Sequence, residues 1–224
     1  MKKRLTIWSG LAVLTGLAFL PLVAAFEAHV INVTATIENA LFVHPESREF
    51  GLVFPQLYFE QGTFITFSES FSTTDQKRVT KIDYVIKQKP QCVDGDGHLV
   101  KVGEDITGKF VCPKGTTVRP NLCPYLSKTW DSPVPDDKHV SVPAFHDPGA
   151  IAKGTLDKLG KRVGDNWIID LAVPCFRGQC AQDWPSFVHS KNPKADPEKF
   201  KADPADEHKI FGCDLWVEVT KIYK

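Results

Sequence analysis

Hydrophobic and polar residues alternate along several short stretches of this chain, and a two-residue period is typical of β-strands with one buried face. The first stretch, Val30–Glu38, places Ile31, Val33 and Ile37 on one face and polar residues on the other. Five later stretches share this pattern and are predicted to be strands: REFGLVFP, TFITFSESF, KIDYVIKQK, NWIIDLAVP and CDLWVEVTKIY.

In the last two stretches the alternation separates two tryptophans. Trp167 shares a face with Ile169 and Leu171 and is predicted to lie in the core. Trp216 lies opposite the apolar face of its strand and is predicted to be exposed. No long stretch after the N-terminal segment has the 3.6-residue period of a helix. We therefore expect an all-β fold, an antiparallel β-sandwich of Ig-like or jelly-roll-like type.

Two long segments interrupt the strands. Residues 113–149 contain seven prolines, which do not fit central strands, so a surface loop with at most a short edge strand is predicted there. Residues 184–208 contain the near-repeat KADPEKF and KADPADE. Aspartate followed by proline is a helix-start pattern, so one or two short helical turns capped by Asp196 or Asp203 are expected.

The N-terminal 25 residues combine a basic start, a long apolar run and small residues at the end. This order predicts a cleaved secretory signal at 1–25 and a single domain over 26–224, secreted or held at the cell surface. The alternative is an uncleaved anchor, since about 20 apolar residues can span a bilayer. Contact with a membrane is expected only through this segment.

Net charge narrows the choice of partners. Cleavage leaves 24 basic against 27 acidic side chains, a net charge near −3. A mildly acidic chain without a basic patch does not fit a nucleic-acid partner or an anionic membrane.

Six cysteines in an exported chain indicate disulfides. They are Cys92, Cys112, Cys123, Cys175, Cys180 and Cys213. The expected pairs are a hairpin bridge, a bridge across a tight turn and a bridge from the proline-rich loop to the last strand: Cys92–Cys112, Cys175–Cys180 and Cys123–Cys213. Pairing of Cys112 with Cys123 is an alternative. Zinc is not favoured, because the chain has no Cys-x-x-Cys and no histidine pair at finger spacing.

The stretch CFRGQCAQDW, residues 175–184, has the outline of a thiol-protease motif. Alignment on Trp184 puts Asp183 where the nucleophilic cysteine must be, and the chain ends too soon for the distant histidine and asparagine. A disulfide-closed loop is the better interpretation.

The stretch DGDGH makes Asp94 and Asp96 weak calcium candidates, because calcium prefers hard oxygen ligands. An EF-hand needs an oxygen ligand, a glycine and a glutamate at positions that here hold His98, Leu99 and Asp105. A tight polar turn is the alternative, and no other cofactor is expected.

Five acids lie on predicted strands at polar-face positions, where solvation is the default: Glu60, Glu69, Asp83, Asp170 and Glu218. The sequence does not pair them as a glycosidase requires, and it contains no catalytic motif. Among the tryptophans, Trp184 and Trp216 are the candidates for a binding surface.

The stretches ALFVHPESREFGLVFPQLYFEQGTFITFSESF and IDYVIKQKP resemble Ig-like modules of bacterial and archaeal surface proteins and the TasA/camelysin family of exported biofilm-fibre subunits, over residues 5–90. VPCFRGQCAQDW and FGCDLWVEV are similar to uncharacterised exported proteins of uncultured bacteria. The fibre resemblance implies a jelly-roll-like sandwich in which an N-terminal strand completes a neighbour's sheet, and the matching segment is Val30–Glu38. Six cysteines and long proline-rich insertions depart from that family's pattern.

The leading expectation is an exported, non-catalytic structural or adhesive protein of the cell surface or extracellular matrix, which assembles with itself by strand addition through Val30–Glu38. A β-sandwich module that binds a surface glycan or peptide is the alternative. A secreted hydrolase is the third.

Overall fold

The computed structural model describes residues 39–73, 79–122, 124–128, 141–147 and 149–224, where β-strands form most of the regular structure. The signal segment, Val30–Glu38 and Cys123 lie outside these residues. The strands are β1 (Leu41–His44), β2 (Tyr58–Phe67), β3 (Lys81–Pro90), β4 (Cys92–Val93), β5 (Leu99–Val100), β6 (Gly103–Glu104), β7 (Phe110–Val111), β8 (Thr117–Val118), β9 (Pro124–Ser127), β10 (Ile151–Asp157), β11 (Gly164–Ala172) and β12 (Cys213–Tyr223). The α-helices are α1 (Glu69–Ser72) and α2 (Trp184–Lys191), and 3-10 helices cover Pro197–Phe200 and Pro204–Asp206.

Two antiparallel sheets organise the chain. Sheet I has the strand order β1-β2-β11-β9, and sheet II has the order β10-β3-β12. Two small antiparallel sheets, β5-β4-β8 and β6-β7, are formed by strands that lie between β3 and β9 in the sequence. The prediction of an all-β, antiparallel fold is confirmed, while the Ig-like or jelly-roll-like type stays a prediction.

Both sheets contribute to one main core. Ile65 and Trp167 come from sheet I, and Ile82 and Leu156 come from sheet II. Each of the four side chains is fully buried, as the alternation in these strands requires. The prediction that Trp167 is a core residue is confirmed.

The other face of sheet I is also covered. Here α2 and its neighbouring segments form a second cluster, which we call the outer cluster: Tyr125, Ala144, Phe145, Ala172, Cys175, Trp184, Val188 and Ala195. Strand β11 is therefore buried on both faces. One solvated face was the simpler expectation, because antiparallel sheets commonly have one face on the core and the other in water.

The predicted strand REFGLVFP is wrong. Gly51 has φ +69, a left-handed conformation that strands do not use. The side chains of Leu52 and Phe54 are 89% and 63% exposed, so no buried face supports a strand there. In the next stretch, β2 begins earlier than predicted and ends at Phe67, and α1 follows it.

The proline-rich segment supplies the short edge strand that the sequence allowed. Strand β9 lies at the edge of sheet I and pairs with β11 alone among the described strands. On the side of β9 away from β11, the backbones of Leu126 and Val142 exchange two hydrogen bonds of 3.0 and 3.1 Å.

Both predicted caps are present in the 184–208 segment. The Asp196 carboxylate accepts the N–H of Glu198 at 3.1 Å, and the Asp203 carboxylate accepts the N–H of Ala205 at 2.9 Å. In each case proline occupies the first turn. Helix α2, with eight residues, is longer than the short turns that the sequence predicted.

Two of the predicted disulfides form, Cys92–Cys112 and Cys175–Cys180. The alternative partner for Cys112 is excluded because Cys112 is bonded to Cys92. The Sγ atom of Cys213 accepts a hydrogen bond from Gln88 at 3.3 Å. Disulfides form in oxidising compartments, as expected for an extracellular environment. Among the described residues, no helix has the length and apolar character needed to cross a membrane.

Candidate functional site

Two acidic side chains meet on the outer face of sheet I. Glu60 of β2 and Asp170 of β11 are direct register partners, and Tyr125 of β9 is the partner of Asp170 on its other side. Directly opposed residues of antiparallel strands share a face, with Cβ atoms about 5 Å apart. The pairing of these three strands therefore brings together residues that are far apart in sequence.

Hydroxyl groups surround the buried acid. The Tyr58 hydroxyl lies 2.9 Å from Oε1 of Glu60, 3.1 Å from Oδ1 of Asp170 and 3.0 Å from the Tyr125 hydroxyl. Ser127 donates from Oγ to Oδ2 of Asp170 at 2.8 Å. Both carboxyl oxygens of Asp170 thus have hydroxyl partners inside the protein.

The Asp170 side chain is 0% exposed. Burial raises the pKa of this carboxyl to about 8; the Ser127 hydrogen bond opposes the shift, and Glu60 adds to it through a hydrogen bond and its charge. The raised pKa favours the protonated form of Asp170, which avoids charge repulsion with the neighbouring Glu60. The prediction that Asp170 is a solvated surface acid is wrong, because α2 covers that face.

Helix α2 brings a lysine to the same place. The Nζ atom of Lys191 lies 3.5 Å from the centre of the Tyr58 ring. Burial lowers the pKa of Lys191, while its attraction to Asp170 and Glu60 acts in the opposite direction. Burial also raises the pKa of both Tyr58 and Tyr125, which therefore stay protonated as hydrogen-bond donors. We call these residues the acid-pair site: Tyr58, Glu60, Tyr125, Ser127, Asp170 and Lys191.

The geometry of the acid-pair site differs from that of a glycosidase. Glycosidase carboxyl groups stand about 5 to 9 Å apart, with the scissile bond or a water molecule between them. Glu60 and Asp170 instead lie within hydrogen-bond distance of the same Tyr58 hydroxyl, and Asp170 is fully buried. A carboxyl group that solvent does not reach is not placed to meet a sugar.

No protein-family model, curated protein or solved structure matches this chain. The resemblance to exported fibre subunits or Ig-like surface modules therefore stays a prediction.

The other three strand acids do not converge on one cleft. Glu69 lies in α1 rather than in a strand. Asp83 accepts hydrogen bonds from Tyr223 at 2.6 Å and Thr155 at 2.8 Å. Glu218 forms an ion pair with Lys87 of the neighbouring strand. Asp83 and Glu218 thus support the pairing of β3 with its neighbours in sheet II.

The two candidate binding tryptophans have opposite environments. Trp216 is 42% exposed, as predicted, and its ring lies 6.3 Å from that of Phe110 and 4.3 Å from the Lys89 ammonium. Trp184 is 1% exposed, so its place on a binding surface is wrong. Its indole N–H donates to the carbonyl of Pro197 at 2.9 Å, which fixes it inside the outer cluster.

The DGDGH stretch forms a tight turn. Oδ1 of Asp94 accepts the backbone N–H groups of Asp96 and His98, and Gly97 has φ +85. One ligand atom from each of Asp94, Asp96 and His98 falls within 4.8 Å of the others. The turn itself explains this cluster, since an aspartate that caps its own turn is a common device. Calcium binding stays a prediction.

The stretch CFRGQCAQDW is a disulfide-closed loop. Cys175 is 1% exposed and bonded to Cys180, and Gly178 takes φ +83 within the loop. Asp183 is exposed and accepts a hydrogen bond from Gln56 at 3.0 Å. Neither cysteine of this loop carries the thiolate that nucleophilic chemistry needs.

Sequence reasoning missed the acid-pair site. Glu60 and Asp170 were identified as strand acids, but their pairing depends on strand order. A usable signal was present at Tyr58, Tyr125 and Ser127, which carry hydroxyl groups at alternating positions of β2 and β9. Polar residues that alternate with the same two-residue period on several strands indicate a row of polar side chains across one face of the sheet.

Proposed function

We propose that this protein is an exported, non-catalytic structural or adhesive component of the cell surface or extracellular matrix, which assembles by strand addition. The two disulfides support an oxidising destination. The donor in this proposal is Val30–Glu38 of one copy, and the acceptor is the edge of sheet II in another.

The observation that carries the proposal is the edge strand β12. It is the longest strand, with eleven residues, and among the described strands it pairs with β3 alone. An edge strand presents unpaired backbone N–H and C=O groups to which another strand can bind. A register shift between Val219 and Lys221 interrupts the strand, so the regular acceptor is the seven-residue stretch Cys213–Val219. The nine residues of Val30–Glu38 are long enough to pair along all of it.

The test is the assembly state of the mature protein, residues 26–224, at rising concentration. We expect light scattering after size exclusion to show multimers and negative-stain microscopy to show fibres or rods. Val33→Pro should abolish assembly because proline removes a ladder hydrogen bond. Val33→Ala, the matched control, keeps the backbone donor and should retain assembly. A protein that stays monomeric at millimolar concentration refutes the proposal.

A second candidate function is glycan or peptide binding at Trp216. The half-exposed ring beside Phe110, with the nearly buried Lys89 ammonium against it, favours this surface. The test is a glycan and peptide array with the wild type and Trp216→Ala. Ile222→Ala, an exposed apolar residue on the same strand, is the control. An array without hits, or hits that survive Trp216→Ala, contradicts this function.

A further inference from the structure

We propose that Glu60 and Asp170 hold one shared proton that keeps residues 184–200 closed over sheet I, and that loss of this proton loosens this cover. We refer to residues 184–200 as the cover. The proposal concerns a single copy of the chain and does not depend on strand addition.

The first step is the position of the cover. Trp184 and Val188 of α2 belong to the same outer cluster as Tyr125 and Ala172 of sheet I. Ala172 lies two residues after Asp170 on the same face of β11. Tyr125 is the register partner of Asp170. The packed cover therefore keeps water away from the Asp170 carboxyl.

The second step is the charge balance. Among the residues that the structure describes, the titratable groups around Asp170 are Tyr58 and Glu60 from β2, Tyr125 from β9 and Lys191 from α2. Of these, only Lys191 is a cation, and its ammonium lies against the Tyr58 ring. After the shared proton is lost, two adjacent carboxylates face one ammonium. A buried charge of this kind requires hydration, and movement of the cover supplies it.

A second buried acid on β11 provides the comparison. Asp165 is 9% exposed and accepts a hydrogen bond from Tyr84 at 2.6 Å. It also forms an ion pair with Lys128. Asp165 thus has its own counter-ion on the opposite face of the strand, and its removal should not affect the cover.

The experiment is an NMR titration of the mature protein from about pH 5 to about pH 9.5. Side-chain ¹³C carboxyl signals follow the ionisation of Asp170. The ¹⁵N–H signal of the Trp184 indole follows the cover, because this group donates to Pro197 inside it. We expect both signals to change with the same midpoint, on the alkaline side of neutrality. In Asp170→Asn the indole response should disappear, and in Asp165→Asn it should remain.

Glu60→Gln is the second variant, since it keeps Asp170 and removes the neighbouring charge. We expect its Asp170 midpoint to fall by at least one pH unit, a tenfold loss of proton affinity. A Trp184 signal that stays constant while Asp170 ionises overturns the proposal. So does a midpoint for Asp170 below pH 6, or an unchanged midpoint in Glu60→Gln.

Discussion

Replacement of Asp170 by asparagine should change how the free energy of unfolding depends on pH. The Asp170 pKa is about 8 in the folded protein against an ordinary value of 3.8. Between these values the folded state binds more protons than the unfolded state, so stability falls as pH rises. The contribution of Asp170 is fully present below about pH 4 and is lost as pH rises through about 8.

The size of the effect follows from the shift. Each pKa unit corresponds to about 1.4 kcal/mol, so four units set an upper limit of about 6 kcal/mol. Movement of the cover lets water reach the ionised carboxyl and reduces this penalty. We therefore expect the wild type to lose about 2 to 4 kcal/mol relative to Asp170→Asn between about pH 5 and about pH 9.

The assay is urea unfolding of both proteins at several pH values with disulfides intact. Burial lowers the pKa of His146; its contribution is present above the ordinary histidine pKa and is lost as pH falls. His146 is common to both proteins, so it cancels in the difference. If the wild-type and Asp170→Asn profiles are parallel, the shared-proton argument is wrong.

Two further predictions concern packing and crosslinking. In Gly154→Ala the new Cβ would lie 2.0 Å from Cζ of Tyr84, so the ring must move. We expect the free energy of unfolding, measured in urea, to fall by about 3 kcal/mol. Gly103→Ala is the control: its new Cβ has no neighbour atom closer than 3.8 Å, and it should cost less than about 0.5 kcal/mol. Replacement of both Cys175 and Cys180 by serine removes a crosslink of sequence separation 5, and loop entropy gives a cost of about 2 kcal/mol; an unchanged urea midpoint would contradict that value.

Alternation predicted some of the strands that form the two main sheets, whereas β1 and β10 were not predicted. It located β3, β11 and β12 because each has one face against the main core, and that face alone sets a two-residue period. The same rule failed at REFGLVFP. A period of two also arises by chance in an exposed loop, and only the conformation of Gly51 distinguishes the two cases.

Alternation does not show what covers the second face of a strand. The predictions that Asp170 is solvated and that Trp184 lies on a binding surface were both wrong for this reason. The predicted solvated face of β11 is buried by a helix that comes later in the sequence, and the tryptophan of that helix is buried in return. Local patterns carry no information about such long-range contacts, whereas the caps at Asp196 and Asp203 depend only on neighbouring residues and were predicted correctly.

In the proposed exported protein, the order in which the cysteines reach an oxidising compartment bears on which disulfides form. Cys123 lies nearer to Cys112 in the sequence than Cys92 does, and the shorter loop costs less entropy to close. A chain that is translocated with its N-terminus first exposes Cys92 and Cys112 to the oxidant before Cys123 emerges, so the native bridge forms without competition. Cys175 and Cys180 then meet locally as they appear. Oxidation of the full-length reduced chain lacks this timing, and it should produce more mispaired protein than secretion does.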